Sequence, residues 1–142
     1  MKEPISDQPD TIHIEKTILN FTRLVFEKSY SGIDSIVKLC AFPFYNKDWD
    51  GKRVYNSATE LRGYLNETFK RENNKPVEYN VKTLFKSDSC DNIFLKSKEH
   101  ICFKMTSDIL NLGEGNYTAI LKTTFYIENK FPFRILGVEQ VY

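Results

Sequence analysis

The sequence predicts an α+β domain with three helices on one face of a single curved sheet. Three observations predict it. Helix-period apolar stripes occupy residues 10–28, 33–40 and 58–71. Long period-two stretches fill the second half of the chain. The last eleven residues, 132–142, read as a strand entered through a tight turn at Glu128-Asn129-Lys130, and an apolar tail of that kind frays unless the sheet pairs it.

Residues 1–9 are polar, contain two prolines and read as a flexible arm. Asp10 follows Pro9 and can cap a helix running to about Lys28. Ile14, Ile18, Phe21 and Val25 step by four, three and four, which is one helical face. Leu19, Leu24 and Phe26 widen that stripe. Ser31-Gly32-Ile33-Asp34 has the spacing of a capping box, and Ile33, Ile36, Val37 and Cys40 then trace a short second helix. Pro43 ends it, so Phe42-Pro43-Phe44-Tyr45 starts a strand. Asp50-Gly51 is a strong hairpin signal leading into Arg53-Val54-Tyr55.

Ser57-Ala58-Thr59-Glu60 is a full capping box. Ala58, Leu61, Tyr64, Leu65, Thr68 and Phe69 share one face of the third helix, which ends by Arg71. Val77, Tyr79, Val81, Thr83 and Phe85 alternate as one face of a strand. Residues 87–99 are ambiguous, with Ile93-Phe94-Leu95 a short helix or an extra strand. A strand over 100–110 places Ile101, Phe103, Met105 and Ile109 on one face. Leu112-Gly113-Glu114-Gly115 turns it into a long strand from Asn116 to Ile127.

One chain of 142 residues is one domain. A domain of that size buries roughly 70% of its unfolded surface and needs no metal or disulfide to fold. Its 20 basic and 19 acidic residues nearly cancel, far from the excess of a nucleic-acid binder. The eleven Phe, eight Tyr and one Trp suit a sheet-rich core and could also line an apolar cavity. Cys40, Cys90 and Cys102 are odd in number and widely spaced. That argues against a disulfide framework or a zinc site, and Cys40 and Cys102 read as small core residues. No apolar run approaches the ~20 residues that span a bilayer. No apolar segment follows Met1-Lys2-Glu3-Pro4 as in a signal peptide. The expectation is a reduced cytoplasmic protein with no cofactor, no metal, no nucleic acid and no membrane partner.

With this element order the chain resembles the nuclear transport factor 2-like superfamily, of cystatin-like fold. The likeness covers roughly residues 10–142. It rests on Ile36-Val37-Lys38-Leu39-Cys40-Ala41 before the first strand, and on Asp50-Gly51 before the capped third helix. The Asn56–Leu65 segment looks like the family's "G…s…eel…yl" stretch. Arg134-Ile135-Leu136-Gly137-Val138-Glu139 resembles its "WrIvgv" ending, with Phe133 in the place of Trp. Ketosteroid isomerases, polyketide cyclases of the SnoaL type and scytalone dehydratases share this fold, so the fold alone licenses no reaction. The resemblance implies a cone-shaped domain with a mixed or antiparallel sheet, a pocket between helices and sheet, and a homodimer formed through the sheet.

The isomerase branch uses a first-helix tyrosine, a carboxylate base on the first strand and a protonated aspartate deeper in the sheet. Here Phe21 takes the tyrosine's place, and Phe44, Tyr45 and Asn46 stand where the base would be. Asp48 comes slightly late. The dehydratase pattern needs a buried His and Asp together, and the sequence shows no evident Asp to go with His13 or His100. Steroid isomerase activity is therefore not expected. The candidate pocket wall is Phe21, Phe44, Tyr64, Phe103 and Phe125, one from each of five elements. Period two groups Glu139 with Phe133, Ile135, Gly137 and Val141, which makes it the main polar group of that pocket. Tyr45, Tyr64, Tyr79 and Tyr126 could orient a ligand with their hydroxyls, although buried tyrosines usually find partners within the protein. The expected function is binding of an apolar small molecule or a partner. The alternative is an enzyme of proton transfer or dehydration with Glu139 or Asp48 as base.

Overall fold

The computed structural model describes residues 7–48, 50–88, 90, 99–112 and 117–142. Helix α1 spans Asp7–Glu27, three residues earlier than Asp10 predicts. Pro9 does not block this start. In a first helical turn the missing proline N–H has no intrahelical partner to lose. Lys28 then turns into the left-handed region at φ 55°, and the Asn74 side chain donates to its carbonyl at 2.7 Å.

A 3₁₀ turn over Tyr30–Gly32 runs directly into helix α2, Ile33–Lys38. The predicted Ser31 cap does not form, because Ser31 lies inside that turn and its hydroxyl meets Ser29 at 2.8 Å. Strand β1 is Cys40–Asp48 and strand β2 is Gly51–Tyr55. Gly51 takes φ 122° in the hairpin turn, a conformation that a side chain would strain. Helix α3 is Ala58–Arg71. Its Ser57 cap forms: Ser57 Oγ accepts from the Glu60 N–H at 3.2 Å, while the Glu60 carboxylate reaches one residue beyond the cap and accepts from the Asn56 N–H at 3.0 Å. Strands β3 (Glu78–Ser87), β4 (His100–Leu112), β5 (Tyr117–Glu128) and β6 (Ile135–Val141) complete the chain. Residues 91–98 and 113–116, where a further element and a turn are expected, lie outside the described residues.

The six strands form one mixed sheet in the order β2-β1-β6-β5-β4-β3. The β1–β6 pair is parallel and the others are antiparallel. The domain is thus α+β, with its helices on one face of the sheet. That inner face and the helices share the main core, from Ile14, Ile18 and Phe21 of α1 to Phe103, Phe125 and Ile135 of the sheet. A small island on the outer face joins Cys102, Tyr126 and Leu136 with Ala41 and Cys90.

Two bulges correct the expected facing of residues. Tyr126 and Ile127 are consecutive on β5, yet they pair with Gly137 and Ile135, so Leu136 is the extra residue on β6. Past that point, period two restarts one residue out of step. Val138 and Gln140 face inward, and Glu139 faces outward. On β3 a shift between Val81 and Thr83 likewise brings Leu84 into the core and leaves Phe85 half exposed. Gly137 lies where β1 crosses closely. A Cβ there would sit 3.1 Å from both the Cβ and the carbonyl oxygen of Tyr45.

Cys90 and Cys102 pair as a disulfide, with Cα atoms 6.2 Å apart. The expectation of three unpaired thiols is therefore corrected. Separation in sequence hid the pair, since the return of the chain to β4 brings the two residues together on the outer face. Cys40 is free, and burial holds its thiol well above the ordinary cysteine range.

Candidate functional site: a cavity between β1, β2 and the helices

Between α1, α3 and the inner face of the sheet lies a cavity of about 560 Å³. The pleat builds its first wall. Phe44, Asn46 and Asp48 alternate inward on β1, and Tyr55 and Arg53, the partners of the first two, do so on β2. The second wall is α3, where Leu61, Tyr64, Leu65 and Thr68 recur at helical spacing. Phe21 and Val25 of α1 close the back, and Val138, Gln140 and Tyr142 come from the end of the chain. An ion pair between Lys28 and Glu72, 2.9 Å apart, stands at the far rim.

Of the predicted wall, Phe21, Phe44 and Tyr64 line this cavity. Phe103 and Phe125 do not. They are 0% and 1% exposed and sit in the core, where Phe125 meets Phe21 edge-on at 6.1 Å and Phe44 lies 6.5 Å from Phe21. Glu139 is also absent from the wall. The β6 bulge turns it to the outer face, where it accepts a 2.9 Å hydrogen bond from the Tyr126 hydroxyl, and the His100 ring meets Tyr126 edge-on at 5.5 Å. Gln140 takes the inward place. Of the four tyrosines singled out in the sequence, only Tyr64 lines the cavity. Asp48 lines it, and its carboxylate accepts from the Asp50 N–H at 2.9 Å.

The polar cluster of the wall is Arg53, Tyr55, Tyr64 and Thr68. The Tyr55 and Tyr64 rings are 4.9 Å apart, and the Arg53 guanidinium lies 5.8 Å from the Tyr64 ring centre. Tyr55 is 8% exposed, and its hydroxyl and that of Thr68 are buried without a hydrogen-bond partner. Burial, followed by Tyr64, pushes the Tyr55 phenol up to about 12, so it stays neutral and able to donate across the ordinary pH range. Arg53 is near enough to offset part of that shift electrostatically, but its geometry makes no hydrogen bond to the hydroxyl. Sequence reasoning passed over Arg53, Tyr55 and Gln140. The signal for Thr68 was present, as a hydroxyl on an otherwise apolar helical stripe. Among the described residues, no three His, Cys, Asp or Glu side chains gather as metal ligands. No described helix is long and apolar enough to cross a membrane.

No family model matches the chain, and no curated protein does. Solved structures do. An NTF2-like protein of unknown function from Cytophaga hutchinsonii aligns with TM-score 0.57 at 14% identity, over 90% of this chain and 88% of that one. A candidate calcium/calmodulin-dependent protein kinase type II association domain from Thiobacillus denitrificans aligns with TM-score 0.62 at 11% identity, over 89% and 91%. A candidate SnoaL-like polyketide cyclase from Shewanella putrefaciens aligns with TM-score 0.57 at 9% identity, over 99% and 88%. The chain therefore has the nuclear transport factor 2-like fold. At these identities the likeness concerns architecture alone.

Proposed function

We propose that this domain binds a small, largely apolar molecule in the cavity between β1, β2 and the helices. The observation that carries the reading is the cavity itself: about 560 Å³, with an apolar floor of Phe21, Phe44, Leu61 and Leu65, and polar side chains such as Asn46, Asp48, Arg53 and Gln140 elsewhere in its wall. That size and that lining suit a ring-containing ligand held by shape and oriented by one or two hydrogen bonds. A second reading is proton-transfer or dehydration chemistry on such a molecule. It is favoured by the position of Asp48 in the wall, where a carboxylate could reach a bound substrate.

The test is a thermal-shift and equilibrium-dialysis screen with naphthalene- and indole-sized aromatics on the parent and on Gln140→Trp. Gln140 lines the cavity and is only part-buried, so a larger side chain there fills space without opening the core. The expected result is a set of compounds that raise Tm and are lost at least tenfold in affinity by Gln140→Trp. No binding across the screen would overturn the ligand reading. Turnover of a bound compound that Asp48→Asn abolishes without weakening its binding would favour the enzyme.

A further inference from the structure

The pocket reading leaves open what a bound molecule must carry. Buried hydroxyls nearly always find a partner, and one left alone is destabilising. Two such groups stand in one cavity wall here. Tyr55 projects from β2 and Thr68 from α3. Thr68 lies one helical turn beyond Tyr64, on the face that brings Tyr64 against Tyr55. Ser107 and Thr123 also bury unpartnered hydroxyls, but neither lines the cavity.

Building on the pocket reading, we infer that the Tyr55 and Thr68 hydroxyls anchor a hydrogen-bond-accepting oxygen, a carbonyl or an ether, on an otherwise apolar ligand. Both groups can donate. Neither can be met by bulk water, so a bond formed there is made in a water-excluded setting, where it is strong. Arg53, an exposed side chain laid over the Tyr64 ring, can swing aside to admit the oxygen and adds positive potential beside it. Both hydroxyls are neutral donors, so an uncharged acceptor oxygen is enough to satisfy them. An apolar molecule of the same shape leaves both hydroxyls unpaired, so the site discriminates by what it fails to satisfy. The anchor stands on β2 and α3; the first helix offers only the apolar Phe21, Val25 and Phe26 at the cavity.

A matched pair of probes tests this. 2-Acetylnaphthalene and 2-isopropenylnaphthalene share one shape and differ by an oxygen in place of a methylene. Equilibrium dialysis should show the ketone bound about tenfold more tightly, the effect of one good hydrogen bond. Tyr55→Phe and Thr68→Val should each shrink that preference to below about threefold, with the affinity for the hydrocarbon unchanged. Circular dichroism confirms that each variant is folded, and either variant alone suffices for the comparison. Equal binding of the two probes by the parent overturns the inference while the pocket reading stands. A preference that survives in both variants overturns it too. Binding of neither probe removes the pocket reading and this inference with it.

Discussion

Tyr55 shows how a single residue can be suboptimal for stability. Its hydroxyl is buried and unpartnered. Truncation to Phe removes a desolvated polar atom and leaves the ring packed on Tyr64, so Tyr55→Phe should leave Tm unchanged or raise it. Most core substitutions do the opposite. The phenol also gives stability a defined alkaline limb. Its folded value is raised from 10.0 to about 12. The unfolded state therefore gives up the proton first as pH rises. The Tyr55 contribution is complete below the unfolded value and is lost between pH 10 and about 12. Urea titrations across that window should show a steeper loss of stability in the parent than in Tyr55→Phe. Parallel curves would place the phenol outside the wall described for it.

At the scale of elements, the disulfide joins residues that sequence spacing kept apart. Cys90 follows β3, and Cys102 sits within β4 beside Tyr126 and Leu136. Closing so short a loop typically stabilises by about 2–4 kcal/mol through the unfolded state. Urea denaturation with and without reductant measures it. Cys90→Ser should match the reduced parent, and a reductant effect that persists in Cys90→Ser would refute the pairing. Element order, the Asp50-Gly51 hairpin and the Ser57 cap were all legible, because each rests on local chemistry: a backbone turn, a period, a side chain three residues from its N–H. What stayed hidden was non-local. The Leu136 bulge depends on how β6 fits between two neighbours of opposite sense, and it alone exchanges Glu139 for Gln140 at the cavity. Phe103 and Phe125 were legible as inward-facing but not as core, because facing says nothing about depth. Thr68 was readable in principle, since a hydroxyl on an apolar stripe asks for a reason.

For the whole molecule, the outer face of the sheet is the surface still to be accounted for. Val54, Phe85, Ile120 and Val141 are 42%, 50%, 55% and 59% exposed there. We propose that these exposed apolar residues meet a second copy of the chain, back to back, as expected from the sequence. Light scattering at high micromolar concentration should give twice the chain mass of 16.7 kDa. Ile120→Lys with Phe85→Lys should return it to the chain mass, and a parent already at 16.7 kDa would refute the dimer.

Strand β6 has one more consequence. It is the last strand in sequence, yet it sits third in the sheet, with β2 and β1 on one side and β5, β4 and β3 on the other. Until it is made, the early hairpin and the late meander share no strand boundary. Without β6 the sheet divides into two fragments, β2-β1 and β5-β4-β3, each with an unpaired edge. Pairing of β6 is what joins them, and the same pairing brings Val138 and Gln140 to the cavity wall. Completion of the fold and completion of the pocket are one step in time.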